Sequence, residues 1–89
     1  MVVKEAIAKA KDYVWDLFRD DKIEHVALEE IEFDQNNNLW RVTIGFSRPW
    51  EQTAGLLGRG ASRTYKLVEI EDGTGQLRAV KNRDVTALT

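Results

Sequence analysis

Residues 40–47 read Trp-Arg-Val-Thr-Ile-Gly-Phe-Ser, so that large apolar residues alternate with polar or small ones. Alternation with a period of two predicts a β-strand with one face on a core and a second, wetter face. The residues that share the apolar face are Trp40, Val42, Ile44 and Phe46. We therefore expect a sheet whose covered face begins at Trp40.

The element predicted to cover this sheet is an amphipathic helix at residues 3–18, where apolar residues recur every three or four positions. At about 100° per residue these side chains form a stripe roughly 100° wide. The stripe consists of Val3, Ile7, Ala10, Val14, Leu17 and Phe18. Trp15 projects about 120° from its centre, so it packs under a loop, faces a partner or stays partly exposed. The acids Asp20 and Asp21 predict that the helix ends near Arg19, because negative charge is unfavourable at a helix C-terminus.

A second strand is predicted at residues 24–34, just before the alternating stretch. Its apolar residues are Val26, Leu28, Ile31 and Phe33. The alternation skips one step at Glu29-Glu30, and a bulge there would let all four side chains point into the core. The Asn-rich residues 35–38 predict a turn, because Asn tolerates positive φ. The two strands should form a hairpin.

The remaining sequence predicts one or two further strands. In residues 63–71, either both faces are partly apolar or another bulge intervenes. Asp72-Gly73-Thr74-Gly75 is a turn signal, and residues 76–81 make a short last strand. Because consecutive strands joined by turns pair antiparallel, we expect an α+β fold in the order αββββ. One N-terminal helix would lie on a meander of three or four strands, and residues 1–89 would form a single domain.

Composition and charge exclude several classes of function. The 89 residues are 43% hydrophobic and 31% charged, which is typical of a globular chain. A net charge of −2 with dispersed bases argues against nucleic acid. The chain has no cysteine, which excludes disulfides and favours a reducing compartment. No stretch is apolar enough to span a membrane, and residues 1–10 do not resemble a signal segment, so we expect a cytoplasmic protein.

The sequence offers no catalytic or metal-binding constellation. A serine nucleophile needs a base, and His25 is the only histidine. Alternating acids, such as Glu30 and Glu32, usually mark the wet side of a strand. Residues 34–38 begin like a calcium loop, but Leu39 and Gly45 stand where that loop needs glycine and glutamate. The glycines of residues 55–60 lack the order of a phosphate loop. We therefore predict no enzyme activity, no metal and no cofactor.

The connection at residues 47–62 is long for a small sheet, and long loops are often functional. It carries apolar and basic residues that suit a protein partner. Together with Trp15, the candidate partner-binding residues are Trp50, Leu56, Leu57 and Arg59. The alternative is that these side chains fold back over the sheet, since apolar residues tend to be buried.

The C-terminal half resembles a known family. Residues 40–44, Trp-Arg-Val-Thr-Ile, are followed by Tyr-Lys-Leu-Val-Glu-Ile-Glu-Asp-Gly-Thr-Gly-Gln-Leu at residues 65–77. This resembles the PepSY-type pattern, in which a tryptophan-led strand precedes a strand ending in an acid, a Thr-Gly turn and a short last strand. The resemblance implies a cystatin-like helix-on-sheet domain associated with peptidase propeptides and peptidase regulation. It carries over no catalytic residue.

Three function classes remain. The preferred one is a non-catalytic protein-binding or regulatory module, acting on a peptidase or another larger protein. The second is a homodimeric structural protein, in which Tyr65, Leu67 and Leu77 on the open sheet face meet their copies. The third is a small-ligand binder with a cleft between helix and sheet.

Overall fold

The fold is one helix packed on a four-stranded antiparallel sheet. The computed structural model describes residues 1–49 and 63–83. The elements are α1 (Val3–Leu17), a short 3-10 turn (Arg19–Asp21), β1 (Glu24–Asp34), β2 (Leu39–Ser47), β3 (Thr64–Glu71) and β4 (Leu77–Asn82). The strands lie in the order β1-β2-β3-β4, and each pairs antiparallel with the next. The predicted α+β meander is therefore confirmed, with four strands.

The core lies between α1 and the middle of the sheet. The predicted apolar row of β2 is buried: Val42, Ile44 and Phe46 are inaccessible to solvent, and Trp40 is nearly so. From the helix, the buried residues are Ala6, Ala10 and Val14. Small alanines let the helix backbone approach the sheet closely, which is why the two layers exclude solvent here.

The two ends of the predicted helical stripe are not buried. Val3 is 47% exposed and Leu17 is 55% exposed, although both share the face of Ala10 and Val14. The first and last turns of α1 therefore extend past the covered part of the sheet. The next residue, Phe18, does return to the core, where its ring lies 5.4 Å from that of Phe46.

Two long-range hydrogen bonds join the helix and β2 to the turn between β3 and β4. The Tyr13 hydroxyl donates to the Gly75 carbonyl at 2.7 Å, and the Trp40 indole donates to Asp72 at 2.8 Å. Gly75 has φ +74°, and a Cβ there would lie 2.8 Å from the Lys9 side chain. A residue with a side chain would be strained at this position and would also push Lys9 away.

The expectation that Leu77 lies on the open face of the sheet is wrong. β3 pairs with β2 in unbroken register, so both of its faces are partly apolar and no bulge intervenes. Leu77, predicted on the open face, lies opposite Ile70 and packs against the core. The reason is a register shift between Glu69 and Ile70 that leaves Arg78 as an extra residue in β4. An extra residue moves the residue before it to the other face.

β1 contains the predicted bulge and a second one. The register shifts between Leu28 and Glu30, as expected, and also between Glu24 and Ala27. Within the second shift, His25 adopts φ +56°, which is unusual for a residue other than glycine. From Glu30 to Asp34 the pairing with β2 is regular. Only this second half of β1 is therefore a regular strand.

The turn after β1 is held by the carboxylate of Asp34, which accepts hydrogen bonds from the backbone of Asn36 and of Asn37. Asn38 has φ +52°, as an Asn-rich turn permits. In the described part of the chain, no helix has the length and apolar character needed to cross a membrane.

Candidate protein-binding surface

The apolar side of β1 is only partly covered. Leu28 is 36% exposed and Phe33 is 38% exposed. Their direct partners on β2 are Ile44 and Trp40, which are buried. We call Leu28, Ile31 and Phe33 the β1 apolar row. Its side chains lie on the helix side of the sheet, yet at the margin of the area that the helix covers.

The aromatic end of the β1 apolar row is held in place. The ring of Phe33 lies 4.9 Å from that of Trp40, centroid to centroid, at an angle of 48°. Trp40 is fixed in turn by its hydrogen bond to Asp72, which also lies 3.2 Å from the amino group of Met1. These two contacts, the indole bond first, lower the pKa of Asp72. Phe33 thus has one side of its ring against Trp40 and is 38% exposed to solvent.

The backbone of β1 forms the outer edge of the described sheet. Arg83 donates its backbone N–H to the Tyr65 carbonyl, so the backbone groups of Tyr65 face β4. Along a strand, the N–H and C=O groups of successive residues point alternately to one edge and to the other. Two residues directly opposite each other in an antiparallel pair either both point towards each other or both point away. Following the register across β3 and β2, the N–H and C=O groups of Ile31 and Phe33 point away from β2. Among the four described strands, none pairs with them.

On the opposite face of the sheet, β1 and β2 carry a network of charged side chains. Arg41 lies at its centre, 2.7 Å from Asp34 and 2.9 Å from Glu69. A second arginine, Arg83, reaches Glu30 at 2.7 Å. The network therefore satisfies most of the acids on this face. Glu32, which lies opposite Arg41 in the register, has no ion-pair partner within residues 1–49 and 63–83.

Asp34 is the most strongly perturbed acid of this network. The side-chain hydrogen bond from Asn37, followed by the one from Arg41, lowers the pKa of Asp34 to about 2. The side-chain hydrogen bonds that Arg41 forms, first with Asp34 and then with Glu69, raise the pKa of Arg41. Both groups stay charged at neutral pH and are engaged in structure.

Of the candidate binding residues predicted from the sequence, the structure describes one. Trp15 is 47% exposed on the outer flank of α1, so it is accessible to a partner. Trp50, Leu56, Leu57 and Arg59 lie outside the described residues, as does most of the 47–62 connection.

Sequence reasoning missed the β1 apolar row as a surface, because its alternation predicts burial. The alternation of one strand does not show how many strands the helix is wide enough to cover. A helix with its side chains is about 10 to 12 Å wide, whereas strands lie about 4.8 Å apart, so one helix covers little more than two strands. The first strand of a meander is also an edge strand. Those two facts together would have identified Leu28 and Phe33 as partly exposed.

The structure also places His25, the one histidine of the chain. His25 is exposed, and its imidazole lies 3.7 Å from Glu24. Among the residues that the structure describes, no group of three or more acids and histidines is arranged to hold a metal ion.

A cleft of about 240 Å³ lies between the start of α1 and the turn before β4. Its lining includes Glu5, Lys9 and Thr74. Ligand pockets are usually about 300 to 1,000 Å³ and mostly apolar, so this open, polar cleft does not resemble one.

Comparison with known proteins adds no family to these observations. No protein-family model, curated protein or solved structure matches the chain significantly. The resemblance to the PepSY-type pattern therefore stays a prediction.

Proposed function

We propose that this chain is a non-catalytic protein-binding or regulatory module that contacts its partner through the β1 apolar row. The observation that carries this proposal is the exposure of Leu28 and Phe33 on a strand whose neighbour has a buried apolar row. Isolated exposed apolar residues are common on protein surfaces. Here, however, they form a row on one face of one strand, and the ring of the aromatic member packs against Trp40. Aromatic anchors are typical of binding hot spots.

The chemistry of the surface favours a protein over other partners. The chain is acidic, with a formal net charge of −2, and β1 contains five acids and no lysine or arginine. Nucleic acid would be repelled by such a strand. The resemblance to PepSY-type domains makes a peptidase the first class of partner to test.

The test compares two pairs of serine substitutions in exposed apolar residues, and the control pair is the more exposed of the two. One pair is Leu28→Ser with Phe33→Ser in the β1 apolar row, and the matched control is Val3→Ser with Leu17→Ser at the ends of α1. Proteins captured from the source cells by the wild-type chain are purified, and their Kd is measured by calorimetry. Because losing a hot spot costs about 1.4 kcal/mol or more, the first pair should weaken binding at least about tenfold. The control pair should change it less than about twofold.

Two outcomes would contradict the proposal. In the first, no captured protein binds the purified chain. In the second, both pairs of substitutions weaken binding to the same extent, which would make the β1 apolar row no different from any other exposed apolar surface. Trp15→Ala in the same titration reports whether the outer flank of α1 belongs to the interface, and we expect a weaker Kd by about three- to tenfold.

A further inference from the structure

We infer that the regular half of β1, residues 30–34, accepts an extended segment of the partner as a fifth, antiparallel strand of the sheet. The inference deepens the proposed function and rests on it. The segment that fits has an apolar residue opposite Phe33, a lysine or arginine opposite Glu32 and an apolar residue opposite Ile31. Backbone direction, side-chain direction and charge at this edge each contribute to that pattern.

The backbone supplies the first part of the argument. The N–H and C=O groups of Ile31 and Phe33 point out of the sheet, as the register shows. An added antiparallel strand would form hydrogen bonds with both residues, which is the usual basis of affinity when a peptide extends a sheet. The bulges limit this edge, because the register is broken before Glu30 and regular after it. Bulges discourage pairing, so the docking segment is about five residues long.

Side-chain direction supplies the second part. In an antiparallel pair, directly opposed residues point to the same face of the sheet. Partner residues opposite Ile31 and Phe33 would therefore lie on the helix side, next to the exposed part of the β1 apolar row. The partner residue opposite Glu32 would lie on the charged side. This alternation requires apolar residues at two positions and a polar residue between them.

Charge selects the polar residue. The acids next to Glu32 already have partners, since Asp34 binds Arg41 and Glu30 binds Arg83. The carboxylate of Glu32 is exposed and has no ion-pair partner in the described part of the chain. Glu32 and the partner residue opposite it would not hydrogen-bond to each other through the backbone. In such a pair the Cα atoms are about 4.5 Å apart, so opposite charges attract and like charges repel strongly. A lysine or arginine is the residue that complements this position.

The same charges disfavour a second copy of the chain at this edge. A two-fold axis through Glu32 would set this carboxylate against its own copy. An axis through Ile31 would set Glu30 against Glu32, and one through Phe33 would set Glu32 against Asp34. Every register that keeps apolar residues on the helix side thus opposes acid to acid. A shift by one residue would instead place acids against the apolar row.

The experiment is a titration of ¹⁵N-labelled chain with synthetic peptides, followed by NMR. The probe is the capped peptide Gly-Ser-Thr-Val-Lys-Val-Thr-Ser-Gly. We expect chemical-shift changes and slower amide exchange at Ile31 and Phe33 at millimolar peptide. Replacing the central Lys by Glu should weaken binding about fivefold, and the Glu32→Lys variant should reverse this preference, because a cross-strand charge pair contributes up to about 1 kcal/mol.

Backbone methylation provides the matched control. N-methylation of either valine removes an N–H that would face β1, and it should weaken binding at least about fivefold for a lost hydrogen bond. N-methylation of the central Lys alters an amide that faces away, and it should change the Kd less than about twofold. Equal sensitivity to both methylations, shifts confined to another surface, or no binding at millimolar peptide would overturn the inference.

These results are distinguishable from those of the partner experiment. If the peptide fails but the captured partner still depends on Leu28 and Phe33, the proposed function stands and strand addition is wrong. If the peptide binds as described and no captured partner depends on these two residues, the proposed function is wrong. Sedimentation that shows a wild-type dimer weakened by Ile31→Lys would overturn the choice of a foreign strand.

Discussion

β1 and β2 form one hairpin and present apolar side chains to the same side of the sheet, but they differ in burial. Phe46 and Ile44 of β2 are completely buried, whereas Phe33 and Leu28 of β1 are more than one third exposed. The alternation is equally clear in both strands, apart from the bulges in β1. Periodicity therefore determines which way a side chain points, and the position of its strand under the helix determines whether it is covered.

The largest expected effect tests this comparison with one residue type. Phe46→Ala should destabilise the protein by about 3 to 5 kcal/mol, because it removes a buried ring and leaves a cavity. Phe33→Ala should cost only about 1 kcal/mol, since much of its surface is already in water and its main contact is Trp40. Urea unfolding followed by circular dichroism measures both. Equal losses would show that β1 belongs to the core as fully as β2.

Asp34 gives a pH-dependent test at the end of β1. Its pKa of about 2 lies below the ordinary value of 3.8, so the folded state favours the ionised carboxylate. This stabilisation is present above pH 3.8 and is lost as the pH falls towards 2. Asp34→Asn should make the urea midpoint less dependent on pH between 4 and 2, with Asn37→Ala intermediate. An unchanged slope in Asp34→Asn would show that the turn does not depend on this charge.

The smallest effect concerns Gly45, on the charged face of β2. A Cβ there would lie 2.6 Å from Glu29 Oε2 and 3.0 Å from Arg63 Nη2, so it would displace the ion pair between them. Alanine is better than glycine in a strand by roughly 0.5 to 1 kcal/mol, and a partly exposed ion pair contributes about the same. Gly45→Ala should therefore be neutral within about 0.5 kcal/mol.

The matched background for this test is Glu29→Ala, in which the ion pair is already absent. There, Gly45→Ala should stabilise the chain by about 0.5 to 1 kcal/mol, as measured by urea unfolding. Equal effects in the two backgrounds would indicate that Glu29 does not restrict Gly45.

Much of the fold follows from periodicity, and the departures have local causes. The helix, the four strands and the bulge near Glu29 could be predicted because each leaves a regular or a skipped apolar pattern. The shift at Arg78, which turns Leu77 to the core, leaves no such mark, because either phase of a short strand is compatible with its residues. The bulge at His25 also leaves no mark, because it lies before Val26, where the apolar alternation of this strand begins.

The candidate surface could be predicted only in part. Trp15 lies off the helical stripe, so the angle alone places it outside the core, and the structure adds that it is 47% exposed. Phe33 fits its stripe perfectly, and its exposure depends on how far the helix extends over the sheet, which no single element encodes. Glu32 is similar, because an unpaired acid is recognised only when the partners of its neighbours are known.

The hydrogen bond from Tyr13 to Gly75 joins residues 62 positions apart, and it has a consequence for synthesis. α1 leaves the ribosome before the strands, but the sheet on which it packs and its hydrogen-bond partner Gly75 emerge much later. Its buried alanines and Val14 have no native partner until β2 and β3 exist. Contacts of such long sequence separation slow folding, so α1, although made before the sheet, is among the last elements of this fold to dock.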